Sequence, residues 1–271
     1  MSTQAAPLLE KTRKRSSATL YEVVVPLLAT AAGFLVWEAI CKAFSVPAYL
    51  VPAPSEILTE TLAIGPTVLG HSLATLKTVL LGFIVSILIS LPLAVLLTAS
   101  PAIAAALYPF LVWTQSIPKV ALAPILVVVL GSNELPRIVI TVLVAFFPLV
   151  NSSATGLMSV PPELLELSRA CRASKWSELW RIRLPYAIPF IFSGLKVAIS
   201  LAVVGAVVAE FVNADAGLGF LIVTSTAFFK VPVAFGALII LSVMGVVLFQ
   251  IVVIVERVFF PWSTGNAMLA S

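Results

Sequence analysis

The stretch ELLELSRACRASKWSELWRIRLP, residues Glu163–Pro185, is a polar interruption in an otherwise apolar chain. It holds five of the sixteen Lys and Arg residues, although 61% of the 271 residues are hydrophobic and only 10% are charged. A water-soluble domain of this length needs a more highly charged surface. We call residues 163–185 the polar segment and expect the apolar regions on both sides of it to lie in a membrane.

Apolar runs of about 20 residues are long enough to cross a hydrocarbon core about 30 Å thick. The runs on both sides of the polar segment predict an all-α, polytopic membrane protein with six transmembrane helices. The predicted spans cover residues 23–41, 73–99, 103–130, 136–158, 187–210 and 233–255. They form one predicted domain, residues 23–258, between tails at residues 1–22 and 259–271.

Local features refine two of these spans. The N-terminal apolar run has signal-peptide character, but it continues to about Ile40, beyond the ~7–15 residues of a signal sequence, which indicates an uncleaved first span. Pro109, Pro118 and Pro124 predict that the third span is broken or kinked. The proline-rich stretch between the first two spans predicts a loop with a short amphipathic helix from Ser55.

The distribution of basic residues predicts the orientation. With six spans and both termini inside, ten basic residues face the cytoplasm: four in a flexible N-terminal tail, five in the polar segment, and Arg257. Four lie outside or at the outer rim: Lys42, Lys77, Arg137 and Lys230. The positive-inside rule therefore places both termini and the polar segment on the cytoplasmic side.

The polar segment has the pattern of two short amphipathic helices. The proline pair at 161–162 suits the first turn of one helix. Ser174 is placed to cap the other, which is predicted to end near Leu184 and Pro185. Such a pair is either an unpartnered element on the membrane surface or a docking element for a cytosolic protein.

The spacing E-L-S-(three residues)-R-(nine residues)-I-R-L-P resembles the EAA loop of bacterial ABC-importer permeases, E-A-A-x3-G-x9-I-x-L-P. Glu166 and Ser168 match the Glu and the second Ala, Ile182 matches the Ile, and Leu184 and Pro185 match the closing pair. Between about residues 47 and 222, stretches such as QSIPKVALAPILVVVLG and VVAEFVNADAGLGFLI resemble the nitrate/sulfonate/taurine permease family.

The resemblance implies a type I ABC-importer permease in the bacterial plasma membrane. Its expected partners are a second permease copy, a cytosolic ABC ATPase dimer and an extracytoplasmic solute-binding protein. Residues 161–185 would be the loop that couples to the ATPase. The expected coupling residues are Glu163, Leu164, Glu166, Leu167, Ser168, Arg169, Arg172, Trp176, Ile182, Leu184 and Pro185.

The sequence departs from the family pattern at Arg172, where the family has glycine. Glycine is usual where a turn requires positive φ or a close approach. Two interpretations follow: Arg172 adopts the left-handed conformation at a cost of about 1 kcal/mol, or the turn differs from that of the family.

The sequence lacks the motifs of an enzyme. It has no G-x-x-x-x-G-K-[ST] phosphate loop, no G-x-S-x-G elbow and no H-E-x-x-H helix. ATP and magnesium would therefore bind to the partner ATPase, with no cofactor in this chain. One His and two Cys are too few for a structural metal site. The basic residues adjoin apolar runs, which argues against nucleic-acid binding.

Ionisable residues in predicted spans are candidates for the transport pathway, because burying them in lipid is unfavourable. Lys119 and Lys196 would suit a small anionic solute of the nitrate, sulfonate or taurine class, unless they extend to the nearer membrane surface. Glu210, Gly217 and Gly219 match the part of the family near the outer gate. The alternative is an interfacial loop whose glycines only permit tight turning.

The main alternative function is a secondary transporter driven by an ion gradient. Such a protein is expected to show repeated halves and paired carboxylates near the membrane midplane, and the sequence shows neither. An intramembrane enzyme would need a nucleophile and base or a metal centre, which are also missing from the sequence. We therefore favour the importer permease.

Overall fold

The structure of the protein is a computed structural model that describes residues 6–265. This part of the chain is helical, without strands. Its helices are α1 (Ala6–Ala43), α2 (Pro54–Ala63), α3 (Gly65–Ala99), α4 (Pro101–Ser116), α5 (Ala123–Leu130), α6 (Glu134–Met158), α7 (Pro162–Ala170), α8 (Lys175–Glu178), α9 (Leu184–Val212), α10 (Leu218–Ala227), α11 (Val231–Phe259) and α12 (Pro261–Gly265). A 3₁₀ turn, Lys119–Leu122, precedes α5, and a π-helical turn, Leu179–Arg183, joins α8 to α9.

Five helices of the described chain are long and apolar enough to cross a membrane. They are the Val24–Ala43 part of α1, α3, α6, the continuous helix Lys175–Val212, and α11. The third predicted span consists of α4 followed by the 3₁₀ turn and α5, and its two parts meet at an angle of 83°. Pro118 lies at the break and holds Ile117 in an extended conformation, with ψ at 123°. The predicted interruption of the third span is therefore confirmed.

The centre of the bundle is α6, which packs between α3 and α9. Small residues allow this close approach. A side chain on Gly82 of α3 would collide with the side chain of Thr141, and a Cβ on Gly205 of α9 would lie 3.1 Å from the Thr141 Cα. Such contacts between small residues are the usual way in which membrane helices pack tightly. The three helices therefore form a closely packed frame.

Several boundaries differ from the sequence-based predictions. Helix α3 begins at Gly65 rather than at residue 73, because Pro66 in its first turn favours an earlier start. Helix α1 continues back to Ala6, through residues 6–22 that were predicted to be a flexible tail, since Leu, Glu, Lys and Arg there favour a helix. Helix α2 confirms the short helix predicted from Ser55.

The chain between α9 and α11 contains a helix that the sequence did not predict. Helix α10 lies between the fifth and sixth predicted spans, where the turn-forming residues before it obscured an uninterrupted apolar stretch. At the C-terminus, α12 lies within the predicted tail, whereas residues 266–271, like residues 1–5 of the predicted N-terminal tail, lie outside the described residues.

The helix bundle has two ends, which we name by the residues that lie there. Phe260, after α11, packs on Phe192 of α9 with ring centroids 5.4 Å apart, so α11 ends near the beginning of α9. We call this side, with residues 159–185 and 260–263, the loop end. The opposite side, with residues 64–72 and 210–233, is the far end.

Candidate functional site

Helix α7 presents an uncovered face at the loop end. Leu164 and Leu167 are 39% and 60% exposed, and Glu163 and Glu166 are exposed as well. Ser168 points inward and is buried. A rigid helix that leaves leucines and carboxylates side by side in solvent has the composition of a contact surface.

The turn after α7 answers the question raised by Arg172. Its φ is +51°, in the left-handed region. Arg172 N donates to the Arg169 carbonyl at 2.9 Å, and Ala173 N donates to the Ser168 carbonyl at 3.0 Å. These two bonds form a Schellman motif, which normally has glycine at the left-handed position. Arg172 therefore adopts the left-handed conformation, which is the first of the two interpretations of the sequence.

The second helix of the polar segment does not stop at Leu184 and Pro185, so that prediction is wrong. Ser174 caps it by accepting a hydrogen bond from Ser177 N at 3.2 Å, and the helix then continues into α9. Pro185 has no N–H, and its ring disfavours an ordinary α-turn. The chain accommodates this with the wider π-turn, in which Leu184 N bonds to the Leu179 carbonyl.

Arg183 connects the polar segment to α6 by a hydrogen bond and is itself held by an ion pair within the segment. Arg183 Nε donates to Glu178 Oε1 at 2.7 Å, and another guanidinium nitrogen of Arg183 donates to the Leu157 carbonyl at 3.2 Å. Leu157 is buried at the end of α6. The local sequence pattern does not link Arg183 with Glu178, because their i, i+5 spacing brings them together only in the widened turn.

The predicted coupling residues thus lie together at the loop end, with different degrees of burial. Ser168 is buried, and Ile182 and Leu184 are partly buried. The exposed ones are Glu163, Leu164, Glu166, Leu167, Arg169, Arg172, Trp176 and Pro185. The surface available to a partner is therefore mainly α7 and the residues that follow it.

At the far end, Glu210 is buried in the last turn of α9 and is only 2% exposed. Its Oε2 accepts hydrogen bonds from Thr75 Oγ1 at 3.0 Å and from Gly219 N at 2.8 Å. Thr75 Oγ1 in turn accepts from Leu218 N at 2.7 Å. The Glu210 carboxylate lies at the N-terminus of α10, where it accepts a hydrogen bond from a backbone N–H that has no partner within the helix and interacts favourably with the helix dipole. Glu210 therefore joins α9, α10 and α3.

The two glycines beside Glu210 are required for this contact. A Cβ on Gly217, whose φ is +131°, would collide with the Glu210 carboxylate. A Cβ on Gly219 would lie 2.8 Å from both the Glu210 Cβ and the Val207 carbonyl oxygen. Glycine is therefore needed at both positions because the backbone lies close to Glu210. The alternative interpretation, in which the glycines only permit a tight turn, does not account for this contact.

Two residues that the sequence did not assign to this site also hold it. Gly217 N donates to His71 Nδ1 at 3.0 Å, and Arg137 donates to the Ala216 carbonyl at 3.4 Å. The only indication in the sequence was that His71, the single histidine of the chain, is a polar residue near a predicted helix start. We call Glu210, Gly217, Gly219, His71 and Thr75 the far-end network.

The two candidate pathway lysines have different surroundings. Lys196 Nζ lies 2.5 Å from Glu256 Oε2, and Glu256, only 4% exposed, also accepts from Ser263 Oγ at 2.7 Å. Lys196 therefore neutralises a buried carboxylate. Lys119 lies in the 3₁₀ turn at the bend and is partly exposed, with no carboxylate within 4 Å among the residues that the structure describes.

The pairing of Lys196 was missed from sequence because 60 residues separate it from Glu256 and nothing in the local pattern links them.

Comparison with known protein families identifies the family of this chain. Residues 86–262, more than half of the chain, match the protein family described as the inner membrane component of binding-protein-dependent transport systems. The chain belongs to this family. The permease is a multi-pass inner-membrane protein, as its apolar helices also indicate.

Three relatives match nearly their whole length. A probable ABC transporter permease protein of Haemophilus influenzae is 35% identical over 88% of this chain and 97% of the relative. The formylaminopyrimidine transport permease protein ThiX of Halalkalibacterium halodurans is 32% identical over 89% of this chain and 97% of the relative. A putative aliphatic sulfonates transport permease protein, SsuC of Bacillus subtilis, is 27% identical over 97% of this chain and 98% of the relative.

A solved structure supports the same fold. The inward-facing MetNI methionine ABC transporter contains a chain similar to this permease, with a TM-score of 0.62 and 20% identity over 72% of this chain and 97% of that chain. The predicted type I importer architecture and the predicted resemblance to importer permeases are therefore confirmed.

Proposed function

We propose that this permease forms the translocation pathway of an ATP-driven importer and that its loop end docks on a separate ATPase subunit. The observation that carries this proposal is the uncovered face of α7. The hydrogen-bonded turn at Arg172 connects α7 directly to the membrane-crossing helix Lys175–Val212. The ATPase, as a dimer, would bind ATP and magnesium. A second permease copy would complete the pathway, and an extracytoplasmic binding protein would deliver the solute.

The mechanism follows from the continuity of one helix. The helix Lys175–Val212 begins beside the proposed docking turn and carries Glu210 near its other end, about 50 Å away. Movement of α7 with the ATPase would tilt this helix as a rigid element. The tilt would shift Glu210 against α10 and α3. We infer that this motion opens and closes the pathway at the far end.

We further propose a small anionic solute of the nitrate, sulfonate or taurine class. Lys119 supports this, because it is a partly exposed cation at the bend between α4 and α5. Lys196 no longer supports it, since its charge is neutralised by Glu256. The relatives named for formylaminopyrimidine and for aliphatic sulfonates mark the range of solutes to be tested.

Cross-linking tests the docking. In a Cys171→Ser background, Ala173→Cys should cross-link to cysteines placed across the ATPase surface. Phe228→Cys is the matched control, because Phe228 is 76% exposed at the far end and should give no cross-link. A transport-active complex in which no position cross-links to Ala173→Cys would show that the loop end is not the docking site.

Thiol labelling tests the proposed orientation, in which both termini are cytoplasmic. Cys171 is exposed, whereas Cys41 is buried and its thiol donates to the Val51 carbonyl. A membrane-impermeant thiol reagent should therefore modify Cys171 only when it is added from the cytoplasmic side. Modification of Cys171 from outside intact cells would reverse the orientation.

A further inference from the structure

The two halves of the polar segment differ in charge. Helix α7 carries two carboxylates, Glu163 and Glu166, against one arginine. The second half, residues 174–183, carries three basic residues against one carboxylate, and the pairing of Arg183 with Glu178 leaves Lys175 and Arg181. Both are exposed. The second half therefore has a net positive surface and α7 a net negative charge.

Two tryptophans lie in the same positive half. Trp176 and Trp180 are 68% and 55% exposed, and their rings pack edge to face with centroids 5.6 Å apart. An exposed tryptophan pair is unfavourable in water. Indole rings are favourable at a membrane–water interface, where the ring contacts lipid and the N–H remains hydrated.

The position of residues 174–183 along the chain favours the membrane as their partner. The helix continues without interruption into α9, a membrane-crossing helix that begins at Leu184. Trp176 precedes Leu184 by eight residues, which is about 12 Å along a helix. The two tryptophans, Lys175 and Arg181 thus lie where a helix entering the bilayer passes the lipid headgroups.

We propose that Trp176, Trp180, Lys175 and Arg181 form a binding face for anionic phospholipid headgroups of the cytoplasmic leaflet. This inference rests on the proposed function for its orientation, and it divides the polar segment between two partners. Helix α7 faces the ATPase, and residues 175–181 face the lipid. Trp176, which the sequence had suggested as an ATPase contact, then acts on the membrane side.

Positive charge strengthens this assignment because the cytoplasmic leaflet is negative. Each Lys or Arg near an anionic surface contributes about 1 kcal/mol, which is about a fivefold preference. The lipid would hold the start of the helix Lys175–Val212 at a fixed depth. Motion of α7 would then tilt the helix instead of sliding it along the membrane.

Lipid-borne quenching tests this face in the complete permease–ATPase complex. The complex is reconstituted in nanodiscs of phosphatidylcholine, alone or mixed with phosphatidylglycerol. Single cysteines, Trp176→Cys, Trp180→Cys or Leu167→Cys, are introduced in a Cys171→Ser background and labelled with bimane. We expect headgroup-nitroxide lipids to quench the labels at 176 and 180 with or without the ATPase. The label at 167 should escape lipid quenching and become shielded from a water-soluble quencher when the ATPase binds.

The charge dependence is tested in the Trp180→Cys variant labelled with bimane, which retains Trp176. Nitroxide-phosphatidylglycerol should quench the label at 180 more strongly than nitroxide-phosphatidylcholine does. Lys175→Gln or Arg181→Gln should reduce this excess by up to about fivefold. Lys230→Gln is the matched control, because Lys230 is exposed at the far end, and it should leave the excess unchanged.

The outcomes separate the two proposals. If the labels at 176 and 180 escape lipid quenching and become shielded by the ATPase, the tryptophans belong to the docking surface and the lipid face is wrong. If the labels are quenched equally by both lipids in every variant, the preference for anionic lipid is wrong. The proposed docking fails independently, through the absence of a cross-link from Ala173→Cys.

Discussion

The two ends of the bundle use carboxylates in opposite ways. At the far end, Glu210 is buried and accepts hydrogen bonds from Thr75 and Gly219 of the same chain. At the loop end, Glu163 and Glu166 are exposed on α7. A buried carboxylate must be paired by its own protein, because an unpaired one is strongly unfavourable.

The comparison predicts different consequences of mutation at these two sites. The far-end network links three helices, so a change there should disturb the permease itself. The α7 carboxylates have water as their alternative partner, so a change there should affect only a complex. Mutations in the far-end network and on the exposed face of α7 are therefore expected to separate into effects on folding and effects on association.

The largest expected effect concerns the buried ion pair between α9 and α11. Lys196→Met leaves the Glu256 carboxylate buried without its cation, which should destabilise the permease by about 3–5 kcal/mol. Thermal unfolding of the detergent-solubilised permease measures this loss. If Lys196 instead contacts the solute, stability is retained and only uptake declines.

A double variant provides the control for this pair. Lys196→Met with Glu256→Gln removes both charges and should recover most of the lost stability, since Ser263 can still donate to the amide oxygen. A double variant as unstable as the single one would show that the lysine stem, and not its charge, supports the bundle.

The next largest effect is expected in the far-end network. Gly217→Ala places a methyl group against Glu210 at a φ of +131°, which should destabilise the permease by about 2–4 kcal/mol through backbone strain and displaced hydrogen bonds. Gly70→Ala is the control, because a Cβ there has no atom within 4 Å and the substitution should stabilise α3 slightly. Equal stability of the two variants in thermal unfolding would contradict the required close approach at Gly217.

At the loop end, Glu166→Ala should leave stability unchanged and weaken the complex. Loss of one desolvated hydrogen bond at the interface corresponds to about 1–3 kcal/mol, or roughly 5- to 150-fold in Kd for the ATPase. Titration of the ATPase into reconstituted permease measures it, with the exposed far-end Glu60→Ala as control. An unchanged Kd for Glu166→Ala would remove this residue from the contact.

The sequence predicted what depends on composition and local spacing. The length and hydropathy of the apolar runs predicted the spans, and the positions of the prolines predicted the break in the third span. The spacing of residues in the polar segment predicted that the expected coupling residues lie together. Pairs that are distant in sequence could not be predicted, such as Lys196 with Glu256 and Glu210 with Thr75. The continuation of the helix through Pro185 was also missed, because only the three-dimensional chain shows that a π-turn can accommodate a proline.

The smallest expected effect concerns the turn at Arg172. The left-handed conformation disfavours any residue with a Cβ, so Arg172→Gly should relieve about 1 kcal/mol of backbone strain. Glycine also gains freedom in the unfolded chain, which opposes this benefit. We therefore expect a gain of less than 1 kcal/mol in thermal unfolding.

Ser45→Gly is the matched control for this change. Ser45 closes α1 with the same two hydrogen bonds and a φ of +46°, but it lies outside the polar segment. Both glycine variants should be stabilised by similar amounts, because the backbone relief is the same. If Arg172→Gly alone also changes the affinity for the ATPase, then the arginine side chain acts at the interface in addition to closing the turn. If neither variant gains stability, the unfolded-chain entropy of glycine outweighs the relief of backbone strain.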